Sequence, residues 1–108
     1  MSLWGGWILV LVTTSGLDEA KRIAKTLVEK KLAACINIVE KIHSVYWWQG
    51  KVEEGDESLL VIKTRVDKFK ELVDTVKKLH SYTVPEIIAL PIVVGSSDYL
   101  KWLDESVS

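Results

Sequence analysis

Trp7-Ile8-Leu9-Val10-Leu11-Val12-Thr13-Thr14 is an apolar, largely β-branched run with no alternation of polar and apolar residues. A strand of that pattern is covered on both faces, which places it inside a sheet rather than at its edge. Ser15-Gly16-Leu17-Asp18 follows, and Ser15 with Asp18 three residues on resembles a capping arrangement. Asp18 and Glu19 suit the positive end of a helix dipole. The helix they open has Ala20, Ile23, Ala24, Leu27 and Val28 on one stripe and Lys21, Arg22, Lys25, Glu29 and Lys30 on the other, so it packs on one side. Upstream, Met1 to Gly6 shows no periodicity and is expected to lie outside the fold, as disordered or appended sequence.

Downstream, Ala33 to Trp48 lacks helical spacing; Ala34, Ile36 and Ile38 alternate with Cys35, Asn37 and Val39, as in a long strand. Gln49-Gly50 breaks the pattern, and Lys51 to Thr64 returns, giving an extended hairpin tipped by Tyr46, Trp47 and Trp48. A second amphipathic helix starts at about Asp67, with Phe69, Leu72, Val73, Val76 and Leu79 on its apolar stripe. It ends before Pro85, because a residue preceding proline avoids helical dihedrals. Ile87 to Val94 is a further apolar run in which Pro91 removes a ladder donor and so favours an edge position or a bulge. Gly95-Ser96-Ser97-Asp98 caps a short helix carrying Tyr99, Leu100, Trp102, Leu103 and Val107.

The order β-α-β-β-α-β plus a terminal helix predicts an α+β fold of the ferredoxin-like type, an antiparallel sheet with two helices on one face and a short C-terminal helix. Right-handed connections put the first and third strands in the centre. Those strands are apolar on both sides, yet both long helices cover one face. The terminal helix shields only part of the other, so self-association is expected.

The 108 residues make one domain, with no length for a second. Fourteen Lys and Arg against fifteen Asp and Glu leave a formal charge of −1, with no basic field for a nucleic-acid backbone. The single Cys35 excludes an internal disulfide. Trp7 to Val12 is too short an apolar run to insert in a membrane, and nothing before it reads as a signal peptide, so a cytoplasmic location is expected.

Known chemistries of this fold class fail at the residue level. The loop Thr13-Thr14-Ser15-Gly16-Leu17 has no Cys-x-x-Cys for a soft metal and no basic residue before Lys21 for a phosphate. The central strands carry Leu9, Val10, Leu60 and Val61, with no ring on which a nucleobase stacks. No nucleophile, base and orienting group occur together, so catalysis is not expected. Cys35 in its Ala- and Ile-rich strand reads as a small hydrophobe, and His80 as a helix-end residue bonded to terminal carbonyls. His43 reads as a surface residue. Tyr46, Trp47 and Trp48, with Tyr82, Tyr99 and Trp102 elsewhere, are too much aromatic surface for an isolated hairpin tip; they read as an interface or a pocket wall.

Five blocks then carry a resemblance: Leu32-Ala33-Ala34-Cys35-Ile36-Asn37-Ile38, Tyr46-Trp47-Trp48-Gln49-Gly50-Lys51, Ile62-Lys63-Thr64, His80-x-Tyr82-x-x-Pro85-Glu86-Ile87 and Asp98-Tyr99-Leu100-x-Trp102-Leu103. Together, from Ile8 to Leu103, the chain resembles the CutA divalent-cation-tolerance family. The resemblance implies a ferredoxin-like homotrimer, cytoplasmic in bacteria and archaea, that binds copper or other divalent metal ions, with no obligatory cofactor. It also implies an assembly like that of the PII signalling proteins, so the rival reading is a regulatory module binding a small ligand or partner between subunits. Ser81 and Thr83 depart from the family's usual proline and glutamate. The metal ligands it leaves are His80, an imidazole able to ligate near pH 7, Cys35, the only soft donor besides Met1, and Glu86, across the Pro85 turn. One chain supplies too few donors, so a site completed between copies is expected.

Overall fold

The computed structural model describes residues 5–108. Met1 to Trp4, most of the segment expected outside the fold, lie outside the described residues. Gly6 does not behave as that expectation requires: it is buried at a φ of 87° that glycine adopts freely, and its carbonyl accepts the Val66 N–H at 2.7 Å.

The elements are β1 (Trp7–Thr14), α1 (Leu17–Glu29), β2 (Cys35–Trp48), β3 (Lys51–Arg65), α2 (Phe69–Leu79), β4 (Ile87–Pro91) and α3 (Ser97–Ser106). The sheet order is β2-β3-β1-β4 with every pairing antiparallel, so the first and third strands are central and the fold is the ferredoxin-like α+β arrangement. Ile8, Val10 and Val12 of β1 and Leu60 and Ile62 of β3 point to one face, where they pack with Ile23 and Leu27 of α1 and Leu72 and Val76 of α2. The out-of-phase residues Leu9, Leu11, Leu59 and Val61 are half-buried on the other face. Their neighbours on β4, Ile88 and Leu90, remain 50% and 46% exposed.

α3 is anchored at one end of that second face. Trp7 Nε1 donates to Asp104 Oδ1 at 3.0 Å, and Arg65 Nη1 to the same oxygen at 2.5 Å. Trp7 and Arg65 are in phase with Leu9 and Val61, so α3 lies opposite α1 and α2 and covers only that end. Ser96 caps it, its hydroxyl accepting the Tyr99 N–H at 3.3 Å. Pro91 is the last residue of the edge strand β4, where its missing N–H is tolerated, and Ile92 beyond it still donates its N–H to the Trp7 carbonyl at 2.9 Å.

Two boundaries differ from the sequence reading. Gly16, not Ser15, is the N-cap of α1 and no side chain caps it; Glu19 instead reaches back, its Oε1 accepting both the Ser15 N–H at 2.9 Å and its hydroxyl at 3.1 Å. A 3-10 turn at Val66–Lys68 precedes α2, so the α-helix proper starts two residues after Asp67.

β2 and β3 run on past the sheet as a two-stranded ribbon, which gives the molecule a 45 Å long axis. Gln49 and Gly50 close it at φ of 50° and 78°, positive at both central positions as a two-residue hairpin turn with the right twist demands. The register steps between Val39, opposite Leu59, and Ile42, opposite Glu57, so two residues face one across a bulge. Ser58 sits in the gap, buried, and donates its hydroxyl to the Glu40 carbonyl at 2.5 Å.

Candidate functional site

Where the ribbon leaves the sheet it flanks the segment after α2, and a cleft of about 800 Å³ opens between them. Its ribbon wall carries Ser44, Tyr46, Trp47 and Trp48, with Glu57 on the facing strand. Ser81, Tyr82, Thr83 and Glu86 form the other wall, and Thr13 at the end of β1 the floor. The Tyr82 hydroxyl donates to Glu57 Oε2 at 2.8 Å and ties the two walls. Burial pushes the Tyr82 phenol pKa well up, and the Glu57 carboxylate beside it adds to the shift, so the group stays a donor throughout the physiological range.

The segment bearing Tyr82 is fixed from below by a buried carboxylate. Glu19 is 6% exposed, and its Oε2 accepts the Ser81 N–H at 2.8 Å while Oε1 holds Ser15. Burial acts to raise its pKa, but the hydrogen bonds from Ser15 and Ser81 and the nearby His80 ring outweigh it and hold the carboxyl at about 2. His80 completes this anchor. Its Nδ1 accepts the Tyr82 N–H at 3.0 Å, which leaves the proton on Nε2, bonded to the Thr13 carbonyl at 2.7 Å. The ring also packs on Tyr82 with centroids 4.7 Å apart. His80 is thus a helix-end residue, as read, although the carbonyl it meets belongs to β1 and not to its own helix.

The three residues read as metal ligands are not brought together. Both His80 nitrogens are spent within the chain, so neither offers a lone pair. Cys35 lies half-buried at the start of β2, close enough to Tyr99 of α3 to raise that phenol's pKa, although burial is the larger cause. Glu86 alone lines the cleft. Among the described residues no three His, Cys, Asp or Glu side chains converge on a point that could hold a metal ion. Of the aromatic residues expected at an interface or pocket, Tyr46, Trp47, Trp48 and Tyr82 do line the cleft; Trp102 lies on α3, stacked 5.4 Å from Tyr99. Glu19 and Glu57 were missed: Glu19 was read only as a dipole partner, and no local signal links Glu57 to a tyrosine 25 residues away. On the ribbon's exposed stem, His43 bridges Asp56 at 3.1 Å and Glu54 at 2.7 Å, and these two hydrogen bonds raise its pKa.

Sheet order, helix placement and a projecting strand pair define the class, a ferredoxin-like α+β domain with an aromatic cleft at the base of its arm. Residues 8–106 match the family described as CutA1 divalent ion tolerance protein. The divalent-cation tolerance protein CutA of Archaeoglobus fulgidus is 51% identical over 98 residues, 91% of this chain and 95% of that protein; the one of Thermus thermophilus is 52% identical over the same shares. The crystal structure of CutA1 from Oryza sativa superposes with a TM-score of 0.93 at 48% identity, covering 99% of this chain and 98% of that one. This chain belongs to the CutA1 divalent ion tolerance family. The structure of the Archaeoglobus fulgidus protein, with a TM-score of 0.92 at 49% identity over 94% of this chain and 99% of that one, is described as periplasmic. The rice relative is described as chloroplastic, and this chain spans 56% of its length. No helix among the described residues is long and apolar enough to cross a membrane.

Proposed function

We propose that this chain acts in divalent-cation tolerance as a cytoplasmic homotrimer that binds copper or another divalent metal ion without catalysing a reaction. Family membership supports the connection to divalent ions. The observation that carries the assembly is the apolar surface the fold leaves open: Ile88 and Leu90 on the second sheet face, Val93 and Val94 beyond β4, and Val45, Trp47 and Val52 on the ribbon are all exposed. Large apolar side chains left in water on both the sheet and the ribbon are unusual for a monomer, and packing against other copies removes them.

The ligands expected from the sequence, His80, Cys35 and Glu86, are to be completed between copies, and within one chain they contribute unequally. With His80 internally bonded and Cys35 not among the lining residues, the carboxylate left in the cleft is Glu86, beside a Glu57 already engaged by Tyr82. Neighbouring copies then supply the remaining ligands, and Cu²⁺ leads the divalent ions in affinity for such oxygen and nitrogen donors.

Light scattering at micromolar concentration is expected to give three times the 12.2 kDa chain mass. Calorimetric Cu²⁺ titration is expected to show binding that Glu86→Gln weakens about tenfold or more, in line with loss of a ligand's support, and that His80→Ala leaves at the same stoichiometry. A monomer overturns the assembly. Equal affinity in wild type and Glu86→Gln removes Glu86 from the site.

A further inference from the structure

The cleft has a chemistry that a metal ion uses poorly. Tyr46, Trp48 and Tyr82 line it with three aromatic residues, Trp47 borders it from the other face of the ribbon, and the only charged groups on its wall are the carboxylates of Glu57 and Glu86. Among the described residues no Lys, Arg or His side chain lines it. Glu57 is bonded through one oxygen to Tyr82, whereas Glu86 has no hydrogen bond or ion pair with any described residue. A divalent ion gives up its tightly held water only to several converging donors, and the described residues of one chain provide no such group. A large, weakly hydrated cation requires the opposite, namely ring faces for its alkyl-covered charge and a carboxylate nearby.

We propose that the cleft binds an organic ammonium ion, its substituted nitrogen against the rings of Tyr46, Trp48 and Tyr82 and its charge facing Glu86. The volume of about 800 Å³ lies within the range of pockets that enclose small molecules. The Tyr82 ring is already oriented, by its hydroxyl on Glu57 and by the His80 ring packed on it, so binding does not have to order it. The inference shares Glu86 with the metal reading but needs neither a second ligand set nor a second copy, so the two can fail separately.

The test is titration of the full chain with benzyltrimethylammonium chloride, followed by tryptophan fluorescence and calorimetry. Benzyl alcohol carries the ring without the charge, and Mg²⁺ the charge without the apolar surface. Saturable binding of the ammonium ion alone is expected, with Kd weakened by roughly 2- to 30-fold in Glu86→Gln and in Trp48→Leu. Tyr46→Leu takes the place of Trp48→Leu if that variant loses the native circular dichroism spectrum. Benzyl alcohol binding as tightly shows an apolar cleft only and overturns the proposal. So does an equal response to Mg²⁺, unchanged affinity in the variants, or no saturation. Ammonium binding without Cu²⁺ binding upholds the proposal and removes the metal reading; Cu²⁺ binding without ammonium binding does the reverse.

Discussion

β3 crosses two environments within one strand. At Leu60 and Ile62 it is fully buried under α1 and α2, while at Val52, eight residues back along the same strand, the side chain is 58% exposed. Across from Val52, Trp47 is 74% exposed. The sheet half is held by side-chain packing and the ribbon half by backbone pairing with exposed charge pairs such as Lys41–Asp56, and an isolated two-stranded ribbon is marginally stable in water. The core therefore sets the stability of the chain, whereas the ribbon leaves its apolar side chains in solvent.

The sharpest way to break this contrast is to truncate both halves of β3. At a concentration where light scattering reports single chains, Leu60→Ala is expected to cost about 2–5 kcal/mol in urea unfolding, and Val52→Ala less than about 1 kcal/mol. Equal costs would mean that the ribbon packs on the domain more tightly than its exposure indicates.

Glu19 tests the anchor between the core and the cleft. Its folded-state pKa of about 2 lies below the ordinary 4.5, so its charge stabilises the native state above pH 4.5, and that contribution disappears as the pH falls through 4.5 towards 2. The full shift corresponds to about 3 kcal/mol. Urea unfolding is expected to show Glu19→Gln less stable than wild type at pH 7, with the gap closing by pH 2. A gap that does not narrow would assign the loss to packing rather than charge.

The smallest effect lies on the ribbon stem. The raised His43 pKa means that its pairing with Asp56 and Glu54 contributes fully below the ordinary 6.5 and fades as the pH rises through the raised value. An NMR titration is expected to place the His43 midpoint above 6.5 in wild type and to bring it down in Asp56→Asn. An unchanged midpoint would make the pair incidental.

The features legible in the sequence are those written into neighbouring residues. The unalternating run at Trp7 gave a central strand, the three- and four-residue stripes gave α1 and α2, Pro91 gave an edge strand, and Ser96 gave a cap. Misread features depend on contacts that close only after folding. Ser15 has the composition of an N-cap, yet Glu19 four residues on takes its N–H and turns the local motif around. His80 looks available as a ligand until its partner Thr13, 67 positions away, is in place. The cleft's aromatic wall was legible as surplus ring area on a hairpin tip. Of its two carboxylates Glu86 was legible and Glu57 was not, because Glu57 reads as one more strand residue until Tyr82 reaches it.

The bulge after Val39 acts as a reading-frame marker in space. Ahead of it, Ile36 and Ile38 face the helices opposite Ile62 and Leu60; beyond it, Tyr46 and Trp48 stand opposite Glu53 and Lys51, one step out of phase with that series. Deleting one of Glu40 and Lys41 would leave a single residue opposite Ser58 and every other pairing in place, from Val39 with Leu59 to Trp48 with Lys51, so the faces would keep their side chains while the local bend and extra twist of the bulge were lost. Substitutions in the arm change what a face carries, but this one extra residue sets the angle at which the whole arm leaves the sheet, so length at positions 40–41 is expected to be far less negotiable than identity.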